Sequence, residues 1–465
     1  MPVANNLSER LTELCKEFTV PGASIALLAG ESLTTATSGT INSSTGAPVR
    51  PDTLFAAGSI TKVLTASLAM ALVDEGLLDL DAHVVNYLPD IAFADPERAA
   101  VMTIRMLLNH SSGLPHNYMP DLTPGSDVLE RLMPSLAALP IIGNPGERWC
   151  YSNMGMSTLG RIVEVVTAQN YDTALNSRIT EPLSLNATTD AEELLLRSVA
   201  VGHSIDPETG EASSVSRLRA WPENAPAGSR LWIDAKSLVR FGQMHFEGQS
   251  REGRQILSST ALEQMRTPQF DEFWGCFPMY ENYGLGWAIA QNRDELVLVH
   301  GGGNIGMHSN LFVLPDSKVA LAVLTNSTAG HLLYSTLCSE LLKEYIDFPA
   351  PASPSHPQTS VDVESSRYSG TFEAPHGRIV VETINDQLHV RFEPELTLAE
   401  ADWIMSGVRI DRRARPLVCI DDVQHRFVID DGAGTWAPVQ FYDPNSEGQL
   451  TLVRLTTLFE RSAQQ

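Results

Sequence analysis

Lysine is scarce in this chain: five of 465 residues, against 27 arginines. Positive charge as a whole is short, with 32 Lys and Arg facing 56 Asp and Glu for a net charge of −24. That balance excludes recognition of nucleic acid or an anionic membrane by bulk electrostatics. The five cysteines (Cys15, Cys150, Cys276, Cys338, Cys419) are odd in number and scattered, with no C-x-x-C pair. This fits a reducing compartment and argues against structural zinc. No H-E-x-x-H or similar ligand spacing is present, so neither a metal nor another cofactor is expected. No apolar run approaches the roughly 18 residues of a membrane span. The first ten residues lack a basic stretch followed by an apolar one, so no secretory leader is expected either. Together these absences point to a cytoplasmic protein with no nucleic-acid or membrane partner. A G-x-S-x-G elbow is also missing, which counts against an α/β-hydrolase.

What is present divides the chain into two folded parts. A helical pattern over Leu7 to Phe18 precedes a strand-like run, Ala23 to Leu28. From Ser59 to about Asp190 the spacing is mostly helical, with turns at Pro115, Pro120 and Pro145-Gly146. Four strands are expected at Tyr283 to Ile289, Glu295 to His300, Ser309 to Leu314 and Val319 to Leu324, joined as an antiparallel meander. A helix from His331 to Tyr345 closes this part, and a Pro-rich linker follows. Beyond the linker, 379–383, 388–392, 426–429 and 450–455 read as strands of a small all-β barrel or sandwich. The boundaries are 1–347 for the first domain, 348–360 for the linker and 361–465 for the β domain.

Three segments carry chemistry. Ser59-Ile60-Thr61-Lys62 opens a helix, so the serine and lysine share one face a turn apart. A serine hydroxyl becomes a useful nucleophile when a neighbouring amine can take its proton. Of the five lysines only Lys62 has a serine three residues before it. Tyr151-Ser152-Asn153 sets a phenol and an amide just before another helix. Beside a lysine ammonium such a phenol can be drawn toward phenolate and act as a base. A second Tyr-x-Asn, Tyr280-Glu281-Asn282, reads as a loop entering the meander. The third segment, His300-Gly301-Gly302-Gly303-Asn304, ends a strand in a glycine loop. There the backbone can approach a ligand and donate N–H groups to an oxyanion.

In this order and at these separations the segments resemble the serine β-lactamase and penicillin-binding-protein superfamily, with its Ser-x-x-Lys, Tyr-x-Asn and Lys/His-x-Gly pattern. The class C-like branch, with its D-aminopeptidases, carboxylesterases and peptide cyclases, is the most similar. Leu107-Leu108-Asn109-His110-Ser111-Ser112-Gly113-Leu114-Pro115 and Tyr283-Gly284-Leu285-Gly286-Trp287 resemble two further stretches of that branch. The resemblance implies an α+β fold: an antiparallel sheet flanked by helices, an all-helical subdomain and, here, a C-terminal lipocalin-like β-barrel. It implies Ser59 as nucleophile, Lys62 and Tyr151 as the base system, and Asn153 orienting Lys62 and the substrate amide. The oxyanion hole would be the backbone N–H groups of Ser59 and Gly303, with Gly301, Gly302 and Asn304 lining the substrate. His300 stands where β-lactamases carry lysine, and a mostly neutral histidine suits a hydrogen-bonding role more than capture of a carboxylate.

The function expected is a serine hydrolase or acyltransferase working through a Ser59 acyl-enzyme on a small-molecule or peptide ester, thioester or amide, D-residues included. One alternative is a stand-alone macrocyclase that takes a peptidyl thioester from a carrier protein. Another is a catalytically inactive binding protein on the same fold. His110 and His308 read as structural. Arg412-Arg413-Ala414-Arg415 reads as a solvated turn, the sharper possibility being that this cluster or Arg454 reaches the cleft.

Overall fold

Val319-Ala320-Leu321-Ala322-Val323-Leu324 is apolar at every position, and every one of these side chains is buried. Successive side chains of a strand point to opposite faces, so such a strand needs a sheet covered on both sides. The computed structural model has that architecture. It describes residues 6–118, 120, 122–206, 209–216, 220–271, 273, 281–292, 294–346, 361–394, 413–430, 436–455 and 457–462.

The chain begins with helix α1 (Leu7–Glu17), strands β1 (Gly22–Ala29) and β2 (Ser32–Gly39), and helix α2 (Thr61–Asp74). Helices α3 (Asn153–Thr167) and α4 (Ala235–Glu247) lead to β3 (Asn282–Tyr283), β4 (Ala288–Asn292), β5 (Glu295–Asn304), β6 (Met307–Leu314) and β7 (Val319–Thr325), then α5 (Gly330–Leu342). Among the described residues these strands form one antiparallel sheet in the order β2-β1-β7-β6-β5-β4-β3. Leu321 and Val323 face a core shared with α1 and α5. Ala320, Ala322 and Leu324 face the opposite core, shared with α4 and α2. α2 is apolar almost all round and buried from Thr61 to Leu72, as a helix inside a core must be. Short helical turns between Val84 and Ala137 pack with α2 and α3 into the helical subdomain.

Two details of the meander differ from expectation. The run Tyr283 to Ile289 is not one strand: Gly286 takes φ +83° and Gly284 N–H donates to the Trp287 carbonyl at 2.8 Å, which makes a turn between β3 and β4. Conversely, Gly301 to Asn304 is not a loop but the last part of β5, paired in register with β6.

The C-terminal part is a closed antiparallel barrel: β8 (Gly370–Ala374), β9 (Gly377–Ile384), β10 (Gln387–Pro394), β11 (Arg415–Asp421), β12 (Arg426–Asp430), β13 (Trp436–Pro444), β14 (Leu450–Arg454) and β15 (Leu458–Arg461). Its core holds Phe372, Phe427, Phe441 and Phe459. β8 and β15, which pair to close it, are short, and Pro416 and Pro438 interrupt the alternation of β11 and β13. Those four strands are the ones the sequence pattern leaves unmarked. The expected linker 348–360, Tyr280 and Arg412 lie outside the described residues.

The barrel docks on the segment just before Tyr151. Ile142 and Cys150 pack against Leu452 and Leu458. The Cys150 thiol lies 3.2 Å from Thr457 Oγ1 and accepts from Leu458 N–H at 3.4 Å. Arg148 pairs with Asp443 at 2.5 Å. No helix among the described residues is long and apolar enough to cross a membrane.

One glycine of β5 locks the sheet to the nucleophile turn. A Cβ on Gly302 would lie 2.0 Å from the Ala57 carbonyl oxygen and 2.2 Å from Ser309 Oγ. Gly302→Ala is therefore expected to cost about 2–3 kcal/mol by overpacking, measured by urea unfolding; an unchanged midpoint would contradict this packing.

Candidate active site

Ser59 owes its position to backbone that only glycine accommodates. Gly58 adopts φ +56°, and a Cβ there would meet Gly303 N at 2.6 Å, so the turn is pressed directly onto β5. Ser309 Oγ, from β6, donates to the Ala57 carbonyl at 2.7 Å and fixes the same turn from beneath. The tight turn Gly58–Ile60 then runs into α2, which carries Lys62 one turn beyond the serine. Lys62 Nζ donates to Ser59 Oγ at 3.0 Å and to the Ala227 carbonyl at 2.5 Å. That carbonyl is held in place because Thr65 Oγ1 bonds the neighbouring Pro226 carbonyl at 2.7 Å.

Tyr151 is placed by the cap of α3. Ser152 Oγ accepts from Gly155 N–H at 2.8 Å, an N-cap bond, and donates to the Pro115 carbonyl at 2.8 Å. Tyr151 therefore stands at the helix mouth, its ring centroid 4.7 Å from Lys62 Nζ. Asn153, the first helical residue, sends its amide N–H to Asn117 Oδ1. Its Oδ1 is buried without a partner among the described residues, while the Lys62 bonds go to Ser59 and Ala227. The antiparallel register pairs Gly302 with Ser309 and Gly303 with His308. Pairs alternate along such a ladder, and closure of the hairpin at Asn304 and Met307 directs the Gly303 amide away from β6, toward Gly58 and Ser59. Gly301 offers its carbonyl to His300, and Asn304 Oδ1 caps the Ile305 N–H at 2.8 Å.

The electrostatics favour a neutral site. Lys62 is fully buried, and among the described residues no carboxylate pairs with it; burial holds its pKa well below the ordinary lysine value. Tyr151 is not drawn toward phenolate, because burial pushes its pKa above the usual phenol value and outweighs the Ser59 hydrogen bond. Burial above all lowers His300 to about 3, against a smaller opposing effect of the Gly301 carbonyl. His300 is thus a neutral imidazole: Nδ1–H donates to the Gly301 carbonyl at 2.6 Å, and Nε2 faces the Tyr283 hydroxyl at 3.4 Å. Cys150, next to Tyr151, is a buried thiol whose pKa is raised by desolvation, which disfavours a thiolate nucleophile there.

Several neighbours of the site were not singled out by the sequence. His110, read as structural, lies with its ring centroid 4.5 Å from that of Tyr151, and its Nδ1 accepts from Ser152 N–H at 3.3 Å. His110 itself takes a positive φ of +61° in the Leu107 to Pro115 turn. His116 flanks the same tyrosine at 5.3 Å, and the barrel brings His376 to 5.8 Å from His116. Of the barrel arginines, Arg454 is buried with its guanidinium 5.8 Å from the Trp149 ring and 5.7 Å from Tyr442. Arg415 instead opens β11. No group of three or more His, Cys, Asp or Glu suited to a metal occurs among the described residues.

A serine in the turn before a helix that carries a lysine, a tyrosine at the mouth of a second helix and a glycine strand opposite define a β-lactamase-like serine hydrolase fold. Comparison with known proteins agrees: the Beta-lactamase family model matches residues 7–333, and the chain belongs to that family. It is 34% identical over 379 residues to penicillin-binding protein 4 of Amycolatopsis lactamdurans, covering 79% of this chain and 97% of that protein. Across 99% of both chains it superposes on the crystal structure of SurE, at 25% identity and a TM-score of 0.80. The D-amino acid amidase of Ochrobactrum anthropi SV3 covers 70% of this chain and 91% of its own, at 26% identity and a TM-score of 0.60.

A depressed lysine pKa has a definite sign in stability. Between the folded value and the ordinary 10.5 the unfolded chain binds the extra proton, so folding gains as pH rises through that window. The melting temperature of the wild type should therefore rise relative to Lys62→Met as pH rises toward about 10. A difference constant with pH would contradict a buried, uncompensated lysine.

Proposed function

We propose that the protein is a serine acyl-enzyme hydrolase or acyltransferase acting on peptidic esters, thioesters or amides. The single observation that carries this reading is the 3.0 Å bond between Ser59 Oγ and a buried Lys62 Nζ without a carboxylate partner among the described residues. A neutral amine there accepts the serine proton as Oγ attacks the substrate carbonyl. The oxyanion forms against the Ser59 and Gly303 backbone N–H groups. As the tetrahedral intermediate collapses, the proton passes from Lys62 through Tyr151 to the leaving group. Tyr151 works in this scheme as a relay that is neutral at rest. Asn153 and the Gly301 to Asn304 strand hold the acyl chain, and no cofactor is required.

The neutral His300 supplies no permanent cation for a substrate carboxylate, which sets the site apart from β-lactam chemistry. Related structures favour D-configured substrates: SurE has been crystallised with D-Leu, and the similar amidase is one for D-amino acids. A second reading makes the acceptor an intramolecular amine, giving a macrocycle from a carrier-bound peptidyl thioester. It is favoured by the barrel, whose Leu452 and Leu458 pack on Ile142 and Cys150, the residue before Tyr151. The unpaired, buried Cys15, Cys150, Cys338 and Cys419 fit work in the cytoplasm.

A fluorophosphonate should add to Ser59, detected by mass spectrometry, and Ser59→Ala should lower ester turnover by at least about 10³-fold. No adduct, together with full ester turnover in Ser59→Ala, would overturn the Ser59 acyl-enzyme; no adduct and no turnover of any of these substrates would leave the fold a binding protein. Among p-nitrophenyl esters, D-amino-acid amides, nitrocefin and peptidyl thioesters ending in a D-residue, nitrocefin should be turned over least. Cyclic product from the thioesters marks the cyclase, and linear acid alone marks the hydrolase.

A further inference from the structure

The β8–β9 turn, Ala374-Pro375-His376-Gly377, carries a histidine into the seam between the domains. His376 is only 4% exposed, its ring 5.0 Å from Phe459 and 5.8 Å from His116. His116 in turn lies 5.3 Å from Tyr151, and its carbonyl accepts the Asn153 backbone N–H at 2.8 Å. Both ring nitrogens of His376 and Nδ1 of His116 are buried without a partner among the described residues, as are Asn117 Nδ2 and Asn153 Oδ1. Buried polar atoms are rarely left unmatched, and so many around one junction call for a polar occupant.

We infer that His116 and His376 form a second, uncharged polar subsite across the seam, and that it takes a backbone amide of the acyl chain beyond the carbonyl that Ser59 attacks. The assignment of that amide to an acyl substrate rests on the acyl-transfer reading above. Burial lowers His376 to about 4 and is the largest cause holding His116 well below the ordinary histidine value, so both rings are neutral at physiological pH. Each neutral imidazole offers one N–H and one lone pair, and the two asparagines add a donor and an acceptor. That set matches an amide, which needs one of each. It offers no charge to a carboxylate or an ammonium group. The barrel thereby becomes a reader of the substrate, held in place by Arg148 with Asp443 and by Cys150 with Thr457.

The test compares kcat/KM for an N-acetyl-dipeptidyl p-nitrophenyl ester with that for p-nitrophenyl acetate, whose acyl group carries no amide. In His376→Leu the ratio of the two should fall about fivefold or more, mainly through KM of the peptidyl ester, for the loss of one neutral hydrogen bond. His376→Gln, which keeps a donor and an acceptor, should lose less, and His116→Leu should behave like His376→Leu. A ratio within about twofold of wild type in both leucine variants overturns the subsite, whether activity is kept or lost equally on both esters. Calorimetry separates this from the reaction itself. N-acetyl dipeptide amide should bind Ser59→Ala and bind Ser59→Ala/His376→Leu more weakly; absent or equal binding overturns the subsite. If Ser59 accepts no acyl group from either ester, acyl transfer fails and calorimetry alone decides the subsite.

Discussion

A lysine that stays neutral beside a serine needs water and carboxylates kept away from it, and much of the first domain meets that need. Lys62 lies on a helix whose first three turns are buried all round, between the helical subdomain and a sheet covered on both faces. Its two hydrogen bonds go to neutral oxygens, one of them the carbonyl of Ala227. An ion pair there would restore the charge and remove the base. The low lysine count of the chain has no bearing on this; what matters is that the single buried lysine has burial as the cause of its shift, with no countercharge set against it.

The same burial shapes the neighbouring groups. Tyr151 is kept protonated, and His110, His116 and His300 are kept neutral. The site is a set of uncharged donors and acceptors around Ser59, bordered on one side by the barrel. In the proposed acyl transfer such a site suits an oxyanion that appears during reaction, because preorganised dipoles act on it strongly. It is less suited to gripping a charged substrate at rest.

Much of this was legible in the sequence because it is local. Ser59 and Lys62 share a helical face by spacing alone, and Tyr151 precedes a helix whose Ser152 cap is itself a sequence signal. The doubly covered sheet shows in the continuous apolar run at Val319 to Leu324. Other features depend on contacts between distant segments. The Ala227 carbonyl has no side-chain signature, and it reaches Lys62 across 165 positions. His376 looks like an ordinary turn histidine until barrel closure carries it to His116. Tyr151 was expected as a nascent phenolate because the sequence shows a nearby lysine but not that burial dominates both groups. The glycine run was expected as a loop, since glycine usually weakens a strand. Here the missing side chains let β5 lie flat against the nucleophile turn.

The central claim is that burial holds the Lys62 amine well below the ordinary lysine pKa, and the five lysines make it directly measurable. With lysine labelled with ¹³C at Cε and ¹⁵N at Nζ, NMR titration should give one resonance, absent in Lys62→Met, that titrates well below the ordinary value of about 10.4. A Lys62 resonance that titrates at or above the ordinary value would mean a permanent ammonium beside Ser59, and would contradict the account.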